Sequence, residues 1–274
     1  MTYLSSNQLK QYEDQGYVSP IEVLSSGEAL EARKEIELIE KKFPNEIDKS
    51  GRYNVHLISP KLDSIVHNSK ILDAVESIIG KNILVCSTTL FIKNPNEQGF
   101  VSYHQDAKYI GLEPHNWVTA WVALTDSNEK NGCMRMWPKS HLDIKDHNEK
   151  FNEGNLLTRG QTVENVPENE VKSIELKAGQ MSLHHPRIVH GSGINKSNDR
   201  RIGFVIQSYI GTNVKQTLGK NSVQIARGED RYNHHEVIKR TDGLMSEESM
   251  LLRKKENDYL QEIFYKNAQQ KGSY

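Results

Sequence analysis

At Gly80 the spacing of apolar residues changes from helical to strand-like, and few architectures accommodate that switch. Before it, Ser5 or Ser6 can cap a short amphipathic helix through Leu9 and Tyr12 that stops at Gly16, and Val18 begins an extended piece ending near Pro20. Glu28, following Ser25 or Ser26, completes a capping box. Leu30, Ile36 and Ile39 then mark the inward face of a helix reaching Phe43, with Glu35 to Lys42 as solvated charge. Residues 47–59 are polar and read as a loop. SKILDAVESIIG, residues 69–80, reads as a helix with Ile71, Val75 and Ile78 inward. Beyond Gly80, NILVCSTTLFIK (82–93) is rich in β-branched residues and ends in the turn-forming NPNEQG. Residues 117–124, 132–137, 171–176, 180–184 and 201–210 are further short extended runs separated by Gly, Pro, Asn or Asp. Helices followed by short strands predict an α+β, mainly β chain: a jelly-roll or cupin-like double-stranded β-helix with helices packed on one sheet.

The 274 residues suit a single domain, with a helical part at about 1–80, a barrel core at about 81–212 and an extension over 213–274. No repeat or linker divides them. The polar run 139–170 is long for a connection in a compact domain and is expected to act as a lid or substrate loop. From Ser246 to about Ala268 a charged amphipathic helix is expected, either packed outside the barrel or at a contact between copies in a homo-oligomer. Lys+Arg of 35 against Asp+Glu of 36 leaves a net charge of -1, which argues against a nucleic-acid-binding or membrane-binding surface and for a small-molecule substrate. The amino terminus has no basic head and apolar run. Cys86 and Cys133, too few for a disulfide framework, fit buried thiols in a reducing compartment, so a cytoplasmic location is expected.

The chemistry concentrates in Tyr103-His104-Gln105-Asp106. In an extended strand alternate side chains share a face, so His104 and Asp106 would project together and Gln105 away. A second imidazole would complete a two-histidine, one-carboxylate face of the kind that leaves open positions on a ferrous ion. His190 is the candidate. It lies in HHPRIVHGSGINKSNDRR (184–201), follows an apolar run and opens a Gly-Ser-Gly turn into the strand RIGFVIQSYI, so the segment reads as a hairpin. Arg200 and Arg201 face opposite ways, and only one can enter the barrel beside His190. That arginine needs a partner, either a dicarboxylate co-substrate or a structural Glu. His184 and His185 read as supporting or core residues, and His234 and His235 as exposed. A zinc hydrolase or a non-catalytic ligand-binding barrel is the alternative reading of the same residues.

His104-x-Asp106, His190 lying 86 residues later and Arg201 eleven beyond it resemble the signature of the phytanoyl-CoA dioxygenase family of Fe(II)/2-oxoglutarate oxygenases. YHQDAKY (103–109), WVTAWVALTDSNEKNGCMRMWPKSH (117–141) and His190-Gly191-Ser192 with Asn195, Ser197 and Arg201 extend the likeness, over roughly residues 10 to 212. The resemblance implies that His104, Asp106 and His190 bind iron. It implies that Arg201 pairs with the distal carboxylate of 2-oxoglutarate, with Ser192 as hydrogen-bond helper and Trp121 as a pocket wall. It also implies turnover of 2-oxoglutarate and O2 to succinate and CO2. The metal carboxylate, absent from related halogenases, implies hydroxylation, and a small polar substrate such as 2-aminoethylphosphonate or an amino-acid-like solute is expected. Lys93, Tyr103, Tyr109, Asn54 and His56 are the candidate substrate residues. Pro138-Lys139-Ser140-His141 departs from the family's more usual Pro-Gly-Ser-His by placing Lys in a turn that favours Gly.

Overall fold

The computed structural model describes residues 4–47, 52–157, 159–241 and 243–268; the loop expected at 47–59 therefore lies partly outside the described residues. Helix α1 (Ser6–Gln15) starts at a reciprocal Ser5–Gln8 capping box and ends at Gly16, whose φ of 83° is left-handed. Strand β1 (Tyr17–Glu22) follows, then α2 (Ser26–Lys42), capped by Ser25 and Glu28 in the same way. The buried stripe of α2 is Ala29, Ala32, Ile36 and Ile39, and the expected Leu30 is 48% exposed. Leu30 lies one residue, about 100°, around the helix from Ala29, so two small alanines and not the leucine meet the core. Helix α3 (Pro60–Val66), which the sequence reading did not anticipate, is capped by the Ser59 side chain with Pro60 at its first turn. Helix α4 (Ser69–Ile79) buries Ile71, Leu72, Ala74 and Val75 and stops at Gly80.

The strands are β2 (Ile83–Val85), β3 (Thr88–Lys93), β4 (Val101–His104), β5 (Leu112–Glu113), β6 (Trp117–Ala123) and β7 (Met134–Trp137). They continue as β8 (Asn148–Glu149), β9 (Gln161–Thr162), β10 (Lys172–Ile174), β11 (Gln180–His184) and β12 (Val189–Ser192), and end with β13 (Arg201–Gly211), β14 (Lys215–Gln216), β15 (Ser222–Arg227) and β16 (Glu236–Val237). A short helix α5 (Ala107–Ile110) follows β4, and α6 (Glu247–Tyr265) closes the described chain. The major sheet runs β1-β11-β6-β13-β2-β15-β16, with β3 also paired to β13, and the minor sheet runs β10-β7-β12-β4. Strands that are distant in sequence lie side by side, giving a mainly antiparallel α+β fold of jelly-roll type.

Period-two alternation divides the major sheet into two working faces. Val118, Ala120 and Val122 on β6, with Ile202, Phe204 and Ile206 on β13, join one core cluster with residues of α1, α2, α3 and α4. Trp121 and Ala123 on β6 and Val205 on β13 pack instead with Met134, Met136, Ile174 and Ile188 from the minor-sheet side. Helices therefore cover one face, and a cavity opens between the sheets on the other. Helix α6 is an integral layer: Leu260, Ile263 and Phe264 bury against Tyr53, Ile110 and Trp117, and Glu256 accepts bonds from Ser222 N at 3.0 Å and Ser222 Oγ at 2.7 Å. Among the described residues, no helix is long and apolar enough to cross a membrane.

Candidate metal centre

His104 and His190 are direct cross-strand partners on β4 and β12, which brings their ring centroids to 4.2 Å. Asp106 reaches them by a route the alternation argument did not foresee. Strand β4 ends at His104, and Asp106 has helical dihedrals (φ -58°, ψ -42°) as the residue that opens α5. Its carbonyl accepts from Tyr109 N at 3.1 Å, and Ala107 N donates to Pro186 O at 2.9 Å, so the turn is fixed on both sides. One donor atom each from His104, Asp106 and His190 lies within 4.8 Å of the others, and all three side chains are buried.

The second layer prepares these groups for a cation. His104 Nδ1 lies 2.9 Å from Ser102 O, and His190 Nδ1 lies 3.1 Å from Ile188 O. A carbonyl can only accept, so Nδ1 carries the proton and each Nε2 keeps its lone pair. Burial, reinforced by His104, lowers the pKa of His190 to about 4, which favours the neutral ligand form. Burial opposes ionisation of Asp106, but His104, whose Nε2 lies 3.3 Å from Oδ1, and the positive charge that His190, His104 and His184 carry when protonated outweigh it, and its pKa falls below the usual carboxylate range. Thr119 Oγ1 lies 3.3 Å from Asp106 Oδ2 and 2.8 Å from Gln207 O. Two neutral imidazoles and one carboxylate on a single face can hold a ferrous ion and leave coordination positions open.

Arg201 enters the same cavity from β13 while Arg200 turns outward to a two-pronged pair with Glu40 at 2.7 and 2.9 Å, as the opposite facing of neighbours requires. The Arg201 side chain is 2% exposed. It donates to Gly132 O at 3.1 Å and Phe91 O at 3.5 Å, lies 5.4 Å from the Trp121 ring, and has an unpartnered buried Nε. Among the described residues no carboxylate pairs with it, so a structural Glu is not its partner. Burial lowers its pKa to about 10, leaving it cationic at neutral pH. Gly203, on the same face, makes room for Trp121: a Cβ there would lie 2.1 Å from the indole.

Ser192, Trp121 and Tyr109 line the cavity, whose volume is about 840 Å³ including its open mouth. Lys93, Tyr103, Asn54 and His56 do not line it. Lys93 is fully buried behind Ser192 and donates to Ser192 Oγ at 2.7 Å and to Gly193 O, and burial, with Arg201 opposite on the next strand, lowers its pKa to about 6. Tyr103 alternates away from His104 and reaches Glu168. Asn54 bonds Thr88 N and Asn257 at 3.2 and 3.0 Å, and His56 lies 2.8 Å from Thr88 Oγ1. Both are structural contacts outside the cavity.

The sequence reading missed several lining residues. Gln207 and Thr119 follow from period two, counted from Arg201 and Trp121. His184, expected as a supporting or core residue, turns inward 4.9 Å ring to ring from His190, with both ring nitrogens unpartnered among the described residues. Arg52, Tyr53, Leu157, Gln161 and Phe264 complete the rim, and nothing local in the sequence marks them. Leu157 and Gln161 come from the 139–170 run, which Gln105 ties down by donating to Asp143 O at 2.8 Å and accepting from Lys145 N at 2.7 Å.

A jelly roll with a buried His-Asp-His face and an unpaired arginine on one cavity defines the class of non-haem iron, 2-oxoglutarate-dependent oxygenases. The phytanoyl-CoA dioxygenase model matches residues 12–203, and the chain belongs to that family. It is 29% identical over 234 residues, 78% of this chain and 81% of the relative, to a probable alpha-ketoglutarate-dependent hypophosphite dioxygenase of Stutzerimonas stutzeri. It is 26% identical over 167 residues, 58% of each chain, to the phytanoyl-CoA dioxygenase domain-containing protein 1 homolog of Caenorhabditis elegans. The solved structure of the apo non-heme monooxygenase ThoJ superposes with a TM-score of 0.80 at 29% identity, covering 91% of this chain and 95% of that one. The protein is thus an Fe(II)- and 2-oxoglutarate-dependent dioxygenase, and the donor set described above suits that metal.

Proposed function

We propose that this enzyme hydroxylates an unactivated C–H bond of a small polar molecule, consuming one O2 and one 2-oxoglutarate and releasing succinate and CO2. His104, Asp106 and His190 hold the metal. Arg201 pairs with the distal carboxylate of 2-oxoglutarate, Ser192 adds a hydrogen bond, and Trp121 forms the wall behind them. The observation that carries this reading is Arg201: a buried guanidinium that, among the described residues, has a free Nε and no carboxylate partner, opening on the cavity that holds the triad. A zinc hydrolase or a non-catalytic barrel has no use for such a group.

Activation of O2, coupled to loss of CO2 from 2-oxoglutarate and transfer of oxygen to carbon, is the chemistry the bound iron supplies. The chain's own residues orient and exclude. Ser102 O and Ile188 O fix the two ring tautomers. Lys93 holds the Ser192 hydroxyl as its acceptor, so that hydroxyl's own proton is free for the co-substrate carboxylate.

For the substrate, a phosphorus compound is favoured, an aminoalkyl phosphonate such as 2-aminoethylphosphonate first, because a relative matching 78% of this chain carries the name of a hypophosphite dioxygenase. An amino-acid-like solute is the second candidate. A succinate-release screen with product analysis by phosphorus and proton NMR tests both. Equimolar succinate and hydroxylated phosphonate is the expected result; coupling only to an amino acid would remove the phosphonate assignment.

A further inference from the structure

Arg52 is a second buried arginine on the cavity, and the chemistry proposed above does not use it. Its backbone is fixed along β3: Leu90 N donates to Arg52 O at 2.9 Å, Asn54 N donates to Thr88 O at 2.8 Å, and Tyr53 bridges Thr89. The guanidinium lies 5.3 Å from the Phe91 ring and 5.2 Å from the Tyr53 ring. Its Nη2 donates to Tyr53 Oη at 3.1 Å and to Leu156 O, whereas the buried Nε has no partner among the described residues. The residue is 7% exposed, and among the described residues no carboxylate pairs with it. A guanidinium kept out of water without a counter-charge is unfavourable unless a ligand provides one.

Charge balance shows which ligand would. Among the described residues, the charged side chains on this cavity are Arg52, Arg201 and Asp106. On the reading above, a ferrous ion, the Asp106 carboxylate, the 2-oxoglutarate dianion and Arg201 cancel. Arg52 then leaves one positive charge over. Tyr53 Oη accepts from Arg52, so its own proton is free for a further acceptor.

We infer that Arg52, with the Tyr53 hydroxyl beside it, anchors an oxyanion head group of the primary substrate, a phosphonate or a carboxylate, with the reacting carbon held toward the triad. Arg52 is a specificity-determining residue. Neutral molecules of the same size would leave its charge unmatched. This rests on the oxygenase reading of the same cavity.

The test is anaerobic calorimetry on protein loaded with Fe(II) and 2-oxoglutarate, titrated with 2-aminoethylphosphonate, its carboxylate counterpart β-alanine, and ethanolamine, which lacks the anion. At least one anion should bind wild type, with ethanolamine at least about tenfold weaker. Arg52→Gln should weaken the anion roughly 10- to 100-fold, the range for a charge-assisted hydrogen bond. Affinity for 2-oxoglutarate should stay within about twofold, and Arg52→Lys should recover part of the loss. Tighter binding of the phosphonate or of β-alanine tells which head group the site takes. The inference is overturned if neither anion binds, if ethanolamine binds as well as the anions, or if Arg52→Gln leaves anion affinity unchanged or weakens 2-oxoglutarate equally. Failure of wild type to take up 2-oxoglutarate at all would overturn the oxygenase reading itself, and this inference with it.

Discussion

The cavity wall formed by β4, β6, β12 and β13 and the rim formed by Arg52, Tyr109, Leu157, Gln161 and Phe264 hold their side chains by different means. On the wall, position follows from register: His190 opposes His104, and Val205 opposes Trp121 across the β13–β6 ladder. On the rim, position follows from side-chain and carbonyl contacts between remote segments. Arg159 bonds Glu149, donates to Phe264 O at 3.0 Å, and lies 4.9 Å from the Tyr109 ring, while Phe264 meets Tyr53 edge to face at 5.7 Å. Ladders fix the chemistry that every substrate shares, and a rim of loops and a tail helix can change without disturbing it.

If that division is real, the two regions respond differently to a single change. Gly203→Ala drives a Cβ into the Trp121 indole in the middle of the wall, so it should cost about 2 to 3 kcal/mol and weaken 2-oxoglutarate binding at least about tenfold. Chemical denaturation and co-substrate titration measure both. Phe264→Ala removes a rim side chain that is 6% exposed and should cost about 2 kcal/mol, less than a fully enclosed phenylalanine, while 2-oxoglutarate affinity stays within about twofold. Equal losses of co-substrate affinity in the two variants would show one cooperative unit and dissolve the comparison.

What could be read from the chain follows the same line. His104, His190 and Arg201 sit in or beside β-ladders, where period two assigns a face, and the choice between Arg200 and Arg201 needed only the rule that neighbours point apart. The same rule, applied to Tyr103, would have removed it from the cavity, because it faces away from His104. Asp106 came to the right place for a different reason, since a helical turn and not a strand delivers it. Lys93 shares a strand face with Phe91 but stands at its end, opposite Arg201 in the ladder, where it supports Ser192. Asn54 and His56 are polar residues satisfied by Thr88 in a loop with no periodicity to assign them. Arg52 and Phe264 were illegible because each reaches the rim through long-range packing, from a loop and from a helix more than 200 residues apart. Lys139 shows the opposite case. The departure from glycine stands in the turn, and its φ is 67°, a left-handed conformation that glycine adopts more readily.

The central claim is that the triad and Arg201 form one site for a metal and a 2-oxo acid. Anaerobic titration of metal-free protein with Fe(II) and 2-oxoglutarate, read through the weak visible charge-transfer band of the chelate, tests it most directly. The account predicts the band in wild type, its weakening in Asp106→Ala, and in Arg201→Ala a dissociation constant for 2-oxoglutarate raised roughly 100-fold. Tight zinc binding by wild type with no band at saturating 2-oxoglutarate would contradict it.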